Sequence, residues 1–232
     1  MSIVLPGEKI PAQHVNLKLG PGLSQTSDAS TANSPSIVST RAGTVNHSSN
    51  KSRWWIESNS RRYIPATQEP VIGVITQRQG EGYRVDIASA HNANLDGLAF
   101  EGATKRNKPN LKVGNLVYAR VSLAHKDMDP ELECFDAQTH KAEGFGELKN
   151  GFLVKCSMRM CRQLLDPNHF LLPLLGGLFP LEVAIGLNGR VWINSKEPKQ
   201  IIAIARALEA TDPDGGGLNE LGVKAFLDKI DH

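Results

Sequence analysis

Apolar residues are sparse and irregular up to about residue 64, alternate with polar ones to about 148, and then fall at mixed spacings to the end. The first stretch opens with Ile3-Val4-Leu5-Pro6-Gly7-Glu8 and a second turn signal, Leu19-Gly20-Pro21-Gly22-Leu23. Residues 24–52 are dominated by Ser, Thr and Asn and read as a long mobile loop. Order returns at Trp54-Trp55-Ile56-Glu57, and a segment this poor in apolar residues is expected to fold as strands packed on a neighbour.

Residues 71–76, rich in β-formers, 83–87, which alternate with period two, 95–100, 115–124 and 132–135 read as strands, with Gln79-Gly80-Glu81-Gly82 as a turn. In the longest of them Val117, Ala119, Val121 and Leu123 share one face, which is predicted to be buried. Five short strands, mostly without a helical period between them, predict a small closed barrel of the OB type. From 151 the chain reads as strand (152–156), helix (158–165), helix (169–175), strands (181–185 and 190–193) and helix (198–210). Asp166-Pro167-Asn168 breaks the first two helices apart, because Pro167 pushes Asp166 out of the helical region. The helix at 198–210 places Ile201, Ile202, Ala205 and Leu208 at helical spacing, and 218–230 reads as a last amphipathic helix. The fold class is therefore mixed β and α+β in three domains: residues 1–65, 66–148 and 149–232.

The 232 residues, 40% of them hydrophobic, suffice for sizeable cores. With 26 Lys+Arg against 24 Asp+Glu, global charge names no partner, so any basic surface must be local. Cys134, Cys156 and Cys161 cannot all pair and form no C-x-x-C, which fits a reducing compartment. Met1 to Ile10 lacks the pattern of a signal peptide, and no apolar run approaches the roughly 18 residues of a membrane span. The glycosylation-type triplets at Asn46 and Asn50 are accordingly read as chance.

Charge does cluster over residues 101–126, where Lys105, Arg106, Lys108, Lys112, Arg120 and Lys126 face a single acid, Glu101. Such a loop between barrel strands lies beside the face on which OB folds track a nucleic-acid backbone, for which unspecific positive charge suffices. An ordinary solvated loop has the same composition. Asp127, Asp129, Glu131 and Glu133 alternate just beyond, a spacing open to a Mg²⁺-dependent nuclease or to a solvated turn that Pro130 leads into an edge strand. Gly186-Leu187-Asn188-Gly189 falls between two strands, so Gly186, Asn188 and Gly189 are assigned to a tight structural hairpin rather than a phosphate loop. Trp54, Trp55 and Trp192 are read as packing residues. No nucleophile elbow, P-loop or zinc-type His/Cys cluster occurs.

Several ordered pieces carry a resemblance: Val4-Leu5-Pro6-Gly7-Glu8, Gly20-Pro21-Gly22-Leu23, Arg62-Tyr63-Ile64-Pro65 and Val71-Ile72-Gly73-Val74-Ile75. Phe100-Glu101-Gly102-Ala103-Thr104-Lys105-Arg106-Asn107-Lys108-Pro109-Asn110, Lys126-Asp127-Met128-Asp129-Pro130-Glu131 and the run from Leu181 to Trp192 complete it. The chain resembles RNA exosome cap subunits of the ribosomal-RNA-processing protein 40 type. The resemblance implies an N-terminal β domain, a central S1-type OB barrel and a C-terminal KH domain. It implies a non-catalytic subunit that helps hold a ring of RNase PH-like proteins together, lines the RNA entry path for 3′→5′ processing and decay, and resides in nucleus, nucleolus and cytoplasm. Single-stranded RNA, the ring subunits and other cap subunits are the expected partners, with no membrane, small-molecule substrate, cofactor or metal. Lys105, Arg106, Lys108, Lys112 and Arg120 are the expected RNA contacts. RNA-gripping KH domains carry Gly-x-x-Gly between their first two helices, where this chain has Leu165-Asp166-Pro167-Asn168-His169. The KH domain is therefore expected to act in packing. A free-standing nuclease using Asp127, Asp129 and Glu131, and a free RNA-binding module, are the alternatives.

Overall fold

The computed structural model describes residues 2–12, 16–26 and 36–230, without the side chains of 228–230. The chain divides into two compact units, Met1–Ser60 and Arg61–His232.

The first unit holds two small sheets. One is ordered β1 (Ile3–Val4), β6 (Gly43–His47), β7 (Arg53–Glu57), β3 (Lys18–Leu19), and the other β2 (Lys9–Ile10), β5 (Ser36–Ser39), β4 (Leu23–Thr26). Val4, Ile10, Ile37, Val45, Trp54 and Ile56 bury their side chains in one core. Trp54 adds a hydrogen bond from Nε1 to the Lys51 carbonyl (2.8 Å), as a buried indole requires. The expected mobile loop over 24–52 needs correction: residues 27–35 lie outside the described residues, but Ser36–Ser39 and Gly43–His47 are strands. The composition is polar, yet Ile37 and Val45 fall on the inward side of their pleats and bring the strands into the sheets.

In the second unit, β8 (Pro70–Gln79), β9 (Gly82–Asp86), β10 (Ala93–Phe100), β11 (Leu116–His125) and β12 (Met128–Cys134) close into a five-stranded barrel, with β13 (Gly146–Leu148) added on β11. Closure comes from β12, which pairs in parallel with β10 (Leu95 opposite Leu132) and antiparallel with β11. The edge expected near Pro130 therefore does not exist. Pro130 is buried inside β12, where the β11–β12 register shifts and a missing N–H is tolerated. Val71, Ile75, Val85, Ile87, Leu95, Val117, Ala119 and Val121 fill the interior at 0–1% exposure. Leu123, expected on that face, is 36% exposed. The register shift between Val121 and Leu123 reverses the alternation, and Ala124 packs inward instead.

After the barrel come β14 (Phe152–Lys155), α1 (Met158–Leu164), α2 (Leu171–Leu178), β15 (Leu181–Gly186), β16 (Arg190–Ser195), α3 (Pro198–Thr211) and α4 (Glu220–Ile230). The sheet is antiparallel in the order β14-β16-β15. Ser157 caps α1 by accepting the Met160 N–H (3.0 Å), and its own N–H and hydroxyl donate to the Asp212 carboxylate (2.6 Å each). Helix α3 buries Ala203, Ile204, Ala207 and Leu208, with Ile201 and Ala205 partly buried against the same core; of the expected Ile201-Ile202-Ala205-Leu208 face only Ile202 turns outward, half exposed. Ala203 and Ala207 let α3 lie close to β16 and α4, which leaves Ile202 at the margin of the buried face.

Candidate RNA-contact surface and barrel–sheet junction

The basic loop runs from residue 101 to 115, between β10 and β11. Its base is held by Tyr83, whose hydroxyl donates to the Pro109 carbonyl while accepting the Leu111 N–H (3.3 Å); Leu111 is buried. Farther out, the backbones of Thr104 and Asn107 bond each other reciprocally (3.1 and 3.0 Å), closing a turn with Lys105 and Arg106 at its apex. Both apex side chains are exposed, as is Lys112 on the returning limb. Lys108 lies lower, its ammonium 3.9 Å from Glu81 and its stem over Gly97. The structure thus gathers Lys105, Arg106, Lys108 and Lys112 on one anchored loop.

Arg120 is placed otherwise. It is 6% exposed, ion-paired with Glu133, and bonded to Gln68 Oε1 (3.1 Å) and the Phe135 carbonyl (3.3 Å). A guanidinium so enclosed braces β11 against β12. The strand pattern gave no signal of this, because residue 120 sits between two inward-facing positions and alternation alone would turn it outward. Sequence reasoning passed over Arg78, exposed near the end of β8, whose guanidinium donates to Asn110 Oδ1 (2.8 Å) and adds a cation beside the basic loop.

The alternating acids do not form a cluster. Asp129 is ion-paired with Arg84 (2.6 Å), Glu133 with Arg120, and exposed Asp127 lies 3.9 Å from His125 Nδ1. Among the described residues no group of three or more His, Cys, Asp or Glu is arranged to hold a metal ion.

Gly186, Asn188 and Gly189 form the β15–β16 hairpin, and its tip enters the barrel wall. Asn188, 4% exposed, donates from Nδ2 to the carbonyls of Ile72 (2.9 Å) and Ile87 (3.0 Å) and accepts the Ile72 N–H (3.2 Å). The Leu187 N–H donates to the Pro70 carbonyl, and Arg190 bonds the Asp86 carbonyl and carboxylate at 2.6 Å each. Beside these, Ile72, Ala184 and Trp192 form a shared apolar layer with Leu116, Tyr118, Leu148 and Leu153 around it. A Cβ on Gly186 would meet Asn188 Oδ1 at 2.4 Å and the Ile72 nitrogen at 2.7 Å, so only glycine permits this approach. Burial raises the Asp86 carboxyl, but hydrogen bonds from Arg190 and the Ala88 N–H, with the charges of Arg190 and Lys155, hold it below the usual carboxylate range overall.

At the α1–α2 junction Asp166 Oδ1 accepts the Asn168 N–H (3.0 Å) and Nδ2 (3.1 Å), forming a local turn that presents an acid. Burial holds the His169 imidazole below its ordinary range despite the nearby Asp166.

Three family descriptions match in order: the exosome complex exonuclease Rrp40 N-terminal domain (residues 17–62), the exosome complex component RRP40 S1 domain (63–146) and a KH domain (151–199). The chain is 50% identical over 214 residues to exosome complex component rrp40 of Schizosaccharomyces pombe, covering 90% of this chain and 87% of that one. It is 36% identical over 204 residues to the Homo sapiens exosome complex component RRP40, covering 85% and 71%. A crystal structure of an exosome complex RNA-binding protein shares the fold, with a TM-score of 0.60 at 22% identity, over 74% of this chain and 96% of that one. With the barrel, the hairpin that locks it to the KH sheet, and these relatives along most of its length, the chain belongs to the RRP40 family of exosome complex components.

Proposed function

We propose that the chain is the non-catalytic RNA-binding cap subunit of an RNA exosome, seated on a ring of RNase PH-like subunits, where it stabilises the ring and lines the RNA entry path. The observation that carries this reading is family membership along the chain, joined to an exposed basic loop anchored on the S1 barrel. Lys105 and Arg106 at the loop apex, with Lys108 and Lys112, take RNA phosphates through unspecific charge. Arg120 stands behind them as a brace, and Arg78 widens the basic surface. The KH domain contributes through packing: its helix junction offers an acid where a phosphate clamp would need glycines, and its hairpin is spent on the barrel. Bond cleavage belongs to another subunit of the complex. Residence in the nucleus, nucleolus and cytoplasm goes with this reading and is checked by imaging a tagged copy.

Charge reversal tests it. In the reconstituted complex, Lys105→Glu, Arg106→Glu and Lys108→Glu together should weaken RNA entry and flatten the log–log salt slope, by about 0.7 for each phosphate no longer neutralised. Unchanged RNA protection and salt slope would remove the loop from the RNA path.

A further inference from the structure

Two of the three thiols lie in contact. Cys156, immediately after β14, and Cys161, inside α1, place their sulfurs 3.5 Å apart, whereas Cys134 is buried in the barrel. Cys161 is fully buried. Cys156 is half-buried and lines a surface pocket of about 450 Å³ with Lys155, Ser157, Glu209, Asp212 and Asp214. One cysteine of the pair thus borders solvent, and the other is enclosed behind it. A disulfide needs the sulfurs near 2.05 Å, an approach of about 1.5 Å that rotation of two side chains can share.

We propose that Cys156 and Cys161 form a peroxide-oxidisable dithiol that closes to an intramolecular disulfide. In the first step Cys156 sulfur attacks the O–O bond of a peroxide, becoming a sulfenic acid as its proton leaves with the released water or alcohol. In the second, Cys161 sulfur attacks the Cys156 sulfur and displaces hydroxide, which departs as water with the Cys161 proton. Two electrons and two hydrogens leave the protein and one peroxide is reduced. The hydrogen bond to Cys161, burial and the nearby Asp212 charge push the Cys156 thiol up, so its place as the first to react follows from access and not from acidity. A hydrogen bond from the Cys156 thiol holds the Cys161 thiol below its ordinary range against the effect of burial, with further help from the Gly189 N–H, which favours Cys161 as the resolving nucleophile. Cys134 is the internal control, enclosed in the barrel core at 1% exposure. The closed bond would tie the end of β14 to α1 beside the hairpin, because the Cys156 N–H donates to the Gly189 carbonyl (3.0 Å).

The test uses the full-length reduced protein and hydrogen peroxide, with samples quenched over time, denatured, alkylated and weighed. The expected product has lost two alkylation sites, is lighter by two hydrogens before alkylation and has Cys134 still alkylated. Its peptide map joins residues 156 and 161, and dithiothreitol reverses it. The pair should react at least about tenfold faster than Cys134. In Cys161→Ala, Cys156 should instead stop at a sulfenic acid that dimedone traps. Oxidation of Cys156 straight to the sulfinic acid in the wild type, disulfide-linked dimers, or loss of all three thiols at one rate would overturn the proposal. The wild-type time course decides by itself should the variant fold poorly.

Discussion

Asn188 reaches the barrel backbone from a turn in which the next residue, Gly189, holds an unusual position. Gly189 has φ +76°, and a Cβ there would lie 2.9 Å from the Cys156 carbonyl oxygen. Both the torsion and the contact penalise a side chain. Gly189→Ala should therefore lower unfolding stability by about 1 kcal/mol or more, read from urea denaturation followed by fluorescence. A midpoint equal to wild type would mean that the hairpin relaxes freely. The hairpin itself was legible, since Asn-Gly between two apolar runs favours a tight turn. What the turn grips was not, because the carbonyls that Asn188 binds are those of residues 72 and 87, and nothing local marks them.

Strand and helix periods predicted where elements lie better than which side they bury. Strands near 71–76, 83–87, 95–100 and 115–124 and both central helices appear in place, since hydrophobic alternation reports local burial directly. Leu123 and Ile202 fail for reasons that only pairing supplies: a bulge in β11 inverts the alternation, and close packing through alanines turns α3. Arg120 belongs with them. As one of several cations it looked like a surface group, and its true partner, Glu133, is given by the β11–β12 register. Its truncation should act on the barrel rather than on ligand. Arg120→Ala is expected to cost roughly 1–3 kcal/mol in thermal denaturation, from the buried hydrogen bonds left unmade, while the salt slope of RNA binding in the assembled complex stays at the wild-type value. A flattened slope with an unshifted melt would return Arg120 to the RNA path.

At the scale of the molecule, barrel and KH domain form one compact unit because the hairpin tip, the Arg190–Asp86 pair and the Trp192 layer all span them. The Asp86 carboxyl makes that union depend on acid. Its folded value lies below the unfolded one, so its contribution is complete above about pH 4 and fades as pH falls through the folded value. Asp86→Asn should melt below wild type at pH 7, and the gap should narrow towards pH 3 in scanning calorimetry. A gap constant across that range would assign the loss to something other than the charge. No domain pattern in the sequence pointed to this union, since many of the groups that join the two are polar backbone atoms.

The hydrogen bonds of Asn188 with Ile72 join residues 116 apart along the chain. Polypeptide leaves the ribosome at roughly 5–20 residues per second, so on the order of ten seconds separates the emergence of the two ends. Once β12 has emerged, and until the hairpin follows, the newly made barrel carries a bare peptide group at Ile72 and an Asp86 carboxylate without its arginine. The nascent chain therefore has an unfinished wall facing its surroundings, which only its own later translation can cover.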